Sequence, residues 1–88
     1  MKIIYLSSFR PDIKKIKDQK LSERLKKCID TIKRADSFSD IPSKKKLSNH
    51  QTAYRIRIGT YHLGIYFEND VVEIARFLKR EDIYKNFP

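Results

Sequence analysis

The sequence contains little cysteine and no long apolar segment, and each of these shortages excludes a class of protein. Its single cysteine, Cys28, excludes an internal disulfide and any metal site made of cysteines alone. No apolar run approaches the roughly 20 residues of a membrane-spanning helix, and no signal-peptide core is recognisable. We therefore expect a single cytoplasmic domain over residues 1–88, with Cys28 as a small, partly buried apolar residue of a helix.

Metal-ligand patterns are also missing. The sequence has two histidines, His50 and His62, and neither stands with aspartate or glutamate at a spacing typical of metal ligands. His50 falls in a polar stretch and receives no role. We expect no metal and no other cofactor, which makes a metal-dependent nuclease a poor interpretation.

Negative charge is scarce beside positive charge. Lysine and arginine number 20 against 11 aspartates and glutamates, which gives a net charge of +9. Residues 1–51 carry almost the whole excess, because the acidic and basic residues of 52–88 nearly balance. A large positive charge indicates partners more than fold: nucleic acid, an acidic protein segment or an anionic membrane surface.

The first half of the chain predicts one strand and two helices. Residues 2–7 (KIIYLS) form an apolar run rich in β-branched residues, which favours a strand. Ser7 or Ser8 is a natural N-cap for a first helix that ends within 17–20, and Ser22 is the expected cap of a second. The apolar stripe of the second helix consists of Leu25, Ile29, Ile32 and Ala35.

The second half predicts a long loop and three strands. Residues 36–51 are rich in Ser, Asp, Lys and Asn, with Lys44, Lys45 and Lys46 near the middle, and loops of this length are usually functional or disordered. Three strands then follow with very short turns, the last over 71–78. The expected fold is α+β in the order β-α-α-β-β-β, with a helical hairpin packed on one face of a small, mostly antiparallel sheet.

One stretch of this sheet, residues 52–66 (TAYRIRIGTYHLGIY), alternates apolar residues with basic or polar ones. The pattern predicts two half-buried strands joined at Gly59-Thr60, in a register that places Arg57 opposite His62. The face turned away from the helices would carry Arg55, Arg57, His62, Gly64 and Tyr66. Two basic side chains opposed so closely destabilise a sheet unless an anion lies between them, which indicates a phosphate site.

Cleavage of RNA without a metal needs the kinds of group that this face offers. One group must accept the proton of the attacking 2′-hydroxyl, another must protonate the departing 5′-oxygen, and cations must stabilise the charge on phosphorus. His62 can act as acid or base, and neighbouring arginines favour its neutral form. Arg80, just past the last strand, would close the site. The alternatives are a solvated or aggregation-resistant strand face, or a nucleic-acid-binding face without catalysis.

Residues 54–84 (YRIRIGTYHLGIYFENDVVEIARFLKREDIY) resemble the signature region of the RelE/ParE superfamily of type II toxin–antitoxin toxins. In that superfamily, a strand with two basic residues leads through glycine into an apolar-aromatic strand. An acidic turn and a valine-rich strand ending in a basic pair follow. The preceding helical hairpin also fits, so the resemblance covers almost the whole chain. It implies the RelE/ParE toxin fold.

The RelE branch implies a small ribosome-dependent endoribonuclease that cuts mRNA by 2′-hydroxyl attack without a metal. By this resemblance, Arg55 and Arg57 match two basic strand residues, Arg80 matches an arginine at the strand end, and Tyr84 matches a tyrosine that contacts the nucleotide. His62 stands where the family usually has arginine, so it either transfers a proton or replaces a phosphate clamp. The candidate catalytic residues are His62, Arg80 and Tyr84. The candidate phosphate-binding residues are Arg55, Arg57, Lys44, Lys45 and Lys46.

The resemblance also implies partners. They are a cognate acidic antitoxin that covers or distorts the active face, the ribosome and its mRNA; no membrane partner is expected. Two rival functions stay open. One is a ParE-type toxin that poisons DNA gyrase without hydrolysis, and the other is an inactive protein of the same fold that serves as a binding module.

Overall fold

A computed structural model describes residues 1–48 and 50–88 of the chain. Its elements are, in order, β1 (Lys2–Tyr5), α1 (Phe9–Lys14), α2 (Gln19–Arg34), β2 (Lys44–Lys46), β3 (Ala53–Ile58), β4 (Tyr61–Glu68), β5 (Val71–Lys79) and α3 (Arg80–Asn86), with a 3-10 turn at Phe38–Asp40. All the elements predicted from the sequence are present in the predicted order. The prediction lacked two elements: β2, which lies in the expected loop, and α3, which follows β5. Residue 49 of that loop lies outside the described residues.

The strands form one sheet in the order β1-β5-β4-β3-β2. β1 runs parallel to β5, and each other neighbouring pair is antiparallel, so the mostly antiparallel sheet is confirmed. The β3–β4 hairpin turns at Gly59, whose φ of 62° is a conformation that glycine adopts without strain. The register of this hairpin pairs Ile58 with Tyr61 and Arg57 with His62, as the alternation predicted.

The main core lies between the sheet and the helices α1 and α2. Its fully buried side chains include Ile32, Leu63, Ile65, Ile74 and Phe77. Leu25 and Ile32 are the buried members of the predicted stripe on α2. Cys28 of the same helix is half-buried, and burial raises the pKa of its thiol to about 11, so the thiol stays protonated and unreactive at neutral pH. Within the described residues, no helix combines the length and the apolar character needed to cross a membrane.

The ends of the two helices differ from the prediction. α2 begins at Gln19 because Asp18 is its N-cap: the Asp18 carboxylate accepts hydrogen bonds from the backbone N–H of Lys20 at 3.0 Å and of Leu21 at 3.3 Å. The expected cap at Ser22 is therefore wrong, and Ser22 lies inside the helix. α1 ends at Lys14, short of the predicted 17–20, which leaves residues 15–17 as a short link before Asp18.

β5 extends beyond the end of β1, and side chains at the start of α1 form hydrogen bonds with this unpaired part of its edge. The hydroxyl of Ser8, the residue that precedes α1, donates to the Ala75 carbonyl at 2.7 Å. The Asp12 carboxylate then accepts the backbone N–H of Phe77 at 3.0 Å and binds the Arg76 guanidinium at 2.7 and 3.1 Å. These bonds hold β5 where no strand pairs with that edge, immediately before the chain enters α3.

α3 covers part of the sheet face that the sequence interpretation left open. Ile83 and Phe87, four residues apart, form a second apolar cluster with Ala53 and Ala75. The residues predicted for this face do lie on the face turned away from α1 and α2, but that face is partly covered: His62 is 3% exposed, and Gly64 is buried as well. The two apolar residues near the end of the chain are the physical reason, since each buries its side chain against this face.

Candidate active site

A concave site of about 440 Å³ lies between the tip of the β3–β4 hairpin and the start of α3. It is lined by Arg55, Arg57, Gly59, Thr60, His62, Arg80 and Glu81. We call it the cleft. Four residues that the sequence singled out thus meet in one place: Arg55, Arg57 and His62 from the hairpin, and Arg80 from α3.

The hairpin and α3 place these side chains by simple geometry. Alternate residues of a strand point to the same face, so Arg55 and Arg57 of β3 stand on the face opposite to the main core. His62 joins them from β4 because it pairs with Arg57. Arg80 is the first residue of α3, and its backbone N–H donates to the Thr60 carbonyl at 3.3 Å, which ties the helix to the hairpin turn.

His62 and Arg55 form the shortest polar contact of the cleft. Arg55 Nη1 lies 2.9 Å from His62 Nδ1. A guanidinium carries only donors, so Nδ1 must be the acceptor and cannot hold a proton; the neutral ring then carries its proton on Nε2. Burial lowers the pKa of His62 below its ordinary value of 6.5, and the positive charges of Arg55, Arg80 and Arg57 lower it further, in that order. The neighbouring arginines, which the sequence predicts as the cause of a lowered pKa, thus lower it less than burial does.

Tyr84 stands at the cleft side of α3, one helical turn after Arg80. Its ring centroid lies 6.4 Å from that of His62, and Arg55 Cζ lies 5.4 Å from the Tyr84 ring. The tyrosine is 51% exposed, so an incoming group can reach it from solvent. Aromatic rings in such positions stack on nucleobases.

The three candidate lysines do not share one face. Lys45 pairs with Arg55 in the β2–β3 register and so stands on the cleft side of the sheet. Lys44 pairs with Ile56 on the core side, where its Nζ donates to the Ile41 carbonyl at 3.0 Å. Lys46 alternates with Lys45 and shares the side of Lys44.

Two residues of structural interest were not predicted from the sequence. Glu81 lines the cleft beside Arg80, and finding it required the prediction of α3. Asp12, which holds Arg76 and Phe77, belongs to no recognisable motif, because its partners lie more than 60 residues away. The structure gathers no three His, Cys, Asp or Glu side chains that could hold a metal ion anywhere in 1–48 and 50–88.

Comparison with known proteins identifies the fold and its class. No model of a protein family matches the sequence. Toxin RelE3 of Methanocaldococcus jannaschii is 32% identical over 89 residues, which cover 100% of both chains. A chain in the crystal structure of the RelB-RelE antitoxin–toxin complex from Methanococcus jannaschii has a TM-score of 0.81 and 29% identity, over 97% of this chain and 99% of that one. The YoeB dimer from Staphylococcus aureus shares the fold, with a TM-score of 0.69 and 22% identity over 90% and 94% of the two chains.

A small α+β sheet protein with a cationic cleft beside its last helix thus falls in the class of toxins from type II toxin–antitoxin systems. The full-length identity to Toxin RelE3 narrows the class further, and the chain belongs to the RelE family of toxins. That family is known for mRNA cleavage and inhibition of translation.

Proposed function

We propose that this RelE-family chain cleaves mRNA on the ribosome, in the cytoplasm, as an endoribonuclease whose cations are arginines and not metal ions. The observation that carries the proposal is the cleft. Arg55, Arg57 and Arg80 converge on one concave site, and guanidinium groups are suited to bind the oxygens of a phosphodiester. Tyr84 beside them is placed to stack on a neighbouring base.

The reaction follows from RNA chemistry. The 2′-oxygen forms a bond to phosphorus and the bond from phosphorus to the 5′-oxygen breaks, leaving a 2′,3′-cyclic phosphate and a 5′-hydroxyl. The proton lost by the 2′-hydroxyl is balanced by one that the 5′-oxygen gains. Negative charge accumulates on the phosphorus oxygens in the transition state, and the three arginines stabilise it there. Lys45 adds positive charge on the same side of the sheet.

The test is mRNA cleavage by translating ribosomes supplied with the purified chain. We expect cuts at defined codon positions, and Arg80→Ala should lower the cleavage rate about a hundredfold or more, the effect of losing one donor to a developing oxyanion. Lys85→Ala is the matched control, because it removes one positive charge from the exposed side of the same helix, outside the cleft. We expect its rate to stay within about twofold of the unmodified chain.

Three other outcomes would reject the proposal. Intact mRNA together with inhibited supercoiling by DNA gyrase would identify a ParE-type toxin. Neither effect, with growth unimpaired on expression, would identify a binding module. Equal losses in Arg80→Ala and Lys85→Ala would show that overall charge, and not the cleft, drives the effect.

We further infer that an acidic antitoxin neutralises the chain. A similar toxin chain occurs in a complex named RelB-RelE. An apolar groove of about 660 Å³ lies between β1, α1 and α2, lined by Tyr5, Ile13 and Ile29 among others and flanked by Arg10 and Lys26. The net charge of +9 favours an acidic partner whose apolar residues enter this groove. An acidic protein encoded next to the gene should co-purify with the chain and restore growth. If it neither co-purifies nor restores growth, the inference of an acidic antitoxin is wrong.

A further inference from the structure

We propose that His62 is a positioning residue that holds the Arg55 guanidinium over the cleft, and that it does not transfer protons in the reaction. The inference rests on the proposed function, in which Arg55 binds the phosphate to be cleaved. Its basis is the lone pair on Nδ1, which is committed to Arg55 Nη1 at 2.9 Å. His62 Nδ1 could accept a proton from a 2′-hydroxyl only after Arg55 had moved away.

Arg55 needs such an anchor. Its partner across the β3–β4 hairpin is Gly64, which has no side chain to pack against the guanidinium. Lys45, its neighbour on β2, carries the same charge and offers no acceptor. The contacts that can hold the guanidinium are those to His62 Nδ1 and to the ring of Tyr84, 5.4 Å from Cζ. Tyr84 is half exposed, whereas His62 is 3% exposed and fixed by its surroundings. A buried acceptor of this kind keeps a cation in place before the substrate arrives, which lowers the cost of reorganisation in the transition state.

The anchor works only while His62 is neutral. The charged and titratable groups that face it are Arg55 and Arg57 from β3 and Arg80, Glu81 and Tyr84 from α3. The cations outnumber the one carboxylate and oppose a further positive charge. A proton on Nδ1 would also set an N–H donor of His62 against an N–H donor of Arg55, so the pair would separate.

Nitrogen NMR of the His62 ring tests the pairing without any activity measurement. At neutral pH we expect an unprotonated Nδ1 and a protonated Nε2, and we expect the titration of the ring to lie below pH 6.5. Arg55→Ala should shift the Nδ1 resonance, because it removes the donor. A ring with its proton on Nδ1, or a charged ring at neutral pH, would overturn the proposal. This result does not depend on whether the chain cleaves RNA.

Two variants of similar size separate positioning from proton transfer. In His62→Asn the amide oxygen can occupy the place of Nδ1 and accept from Arg55, but it cannot carry a proton between pH 5 and 8. His62→Leu removes the acceptor altogether. We expect the Asn variant to lose less than about tenfold in cleavage rate and the Leu variant about a hundredfold, the order expected for a misplaced group.

The pH dependence of the mRNA cleavage rate completes the test. The rate of the unmodified chain should fall as His62 becomes protonated, and the rate of His62→Asn should not show this fall. If Asn and Leu variants lose activity equally, by a hundredfold or more, His62 transfers a proton and the proposal is wrong. If the unmodified chain does not cleave mRNA at all, the proposed function fails, and the NMR result alone decides the pairing.

Discussion

Phe87 lies directly over Gly64, so closely that a Cβ atom on Gly64 would stand 2.9 Å from the phenyl ring. Gly64 is in the middle of β4, and Phe87 follows the last turn of α3. The absence of a side chain on the strand therefore lets the end of the chain approach the sheet. Since α3 also carries Arg80 and Tyr84, this contact helps to fix two candidate site residues.

Gly64→Ala should therefore displace α3 and disable the cleft. We expect a loss of about 1–3 kcal/mol in the free energy of unfolding, typical of an overfilled contact, and a large drop in mRNA cleavage. Phe87→Leu in the same chain should recover part of both losses, because the smaller side chain leaves room for the new methyl group. Additive losses in a double-mutant cycle, measured by urea denaturation, would show that the two residues do not compete for the same space.

Asp12 provides a second prediction, about the edge of β5. Asp12→Ala should lower the free energy of unfolding by about 3 kcal/mol, because it leaves Arg76 and the Phe77 N–H without their acceptor. Asp30→Ala is a suitable control, since Asp30 is an exposed aspartate of α2. Urea denaturation should show a change below about 0.5 kcal/mol for the control. Similar effects of the two substitutions would contradict the role assigned to Asp12.

The hairpin at the centre of the site was predictable from the sequence, and α3 was not. Alternation of apolar and polar residues sets strand register, and Gly59 marks the turn, so the pairing of Arg57 with His62 follows from local pattern alone. α3 has only seven residues, too few to be stable by itself, and it exists because Ile83 packs against the sheet. Local sequence contains no direct signal for such tertiary packing.

The lysine triplet shows a similar limit. Lysine has a low preference for strands, yet residues 44–46 form β2 because the edge of β3 offers hydrogen-bonding partners. A strand of lysines is well suited to a sheet edge, where its charges discourage pairing with other chains. The pairing with β3 decides that Lys45 faces the cleft side, and no feature of the loop sequence sets that register.

The pKa of His62 provides a third prediction. Because the folded state lowers this pKa, the unfolded chain binds the proton more strongly, and the free energy of unfolding should fall as pH decreases below 6.5. In His62→Asn this part of the pH dependence should disappear. Arg55→Ala should raise the pKa of His62 but leave it below 6.5, because burial is the larger cause. If an NMR titration of Arg55→Ala found the pKa of His62 at or above 6.5, the lowered pKa of the unmodified chain would be due to charge and not to burial.

Tyr84 allows stacking to be separated from hydroxyl chemistry. Tyr84→Ala should lower kcat/KM for mRNA cleavage by about 5- to 150-fold, since stacking of one base is worth about 1–3 kcal/mol. Tyr84→Phe keeps the ring and should stay within about threefold of the unmodified chain. Equal losses in the two variants would instead assign the hydroxyl a part in proton transfer.

Ile13 offers a way to separate toxicity from neutralisation. Its side chain is 38% exposed in the apolar groove, away from the residues of the cleft. Ile13→Asp places a negative charge where we expect the apolar residues of an acidic antitoxin, so it should weaken that complex at least tenfold, through repulsion and lost apolar contact. The mRNA cleavage rate of the free chain should change little, because Ile13 takes no part in the cleft.

Binding measured by calorimetry and cleavage measured on ribosomes test the two claims separately. Unchanged affinity for the antitoxin would place its binding surface elsewhere, and a parallel loss of cleavage would mean that the groove also supports the active fold.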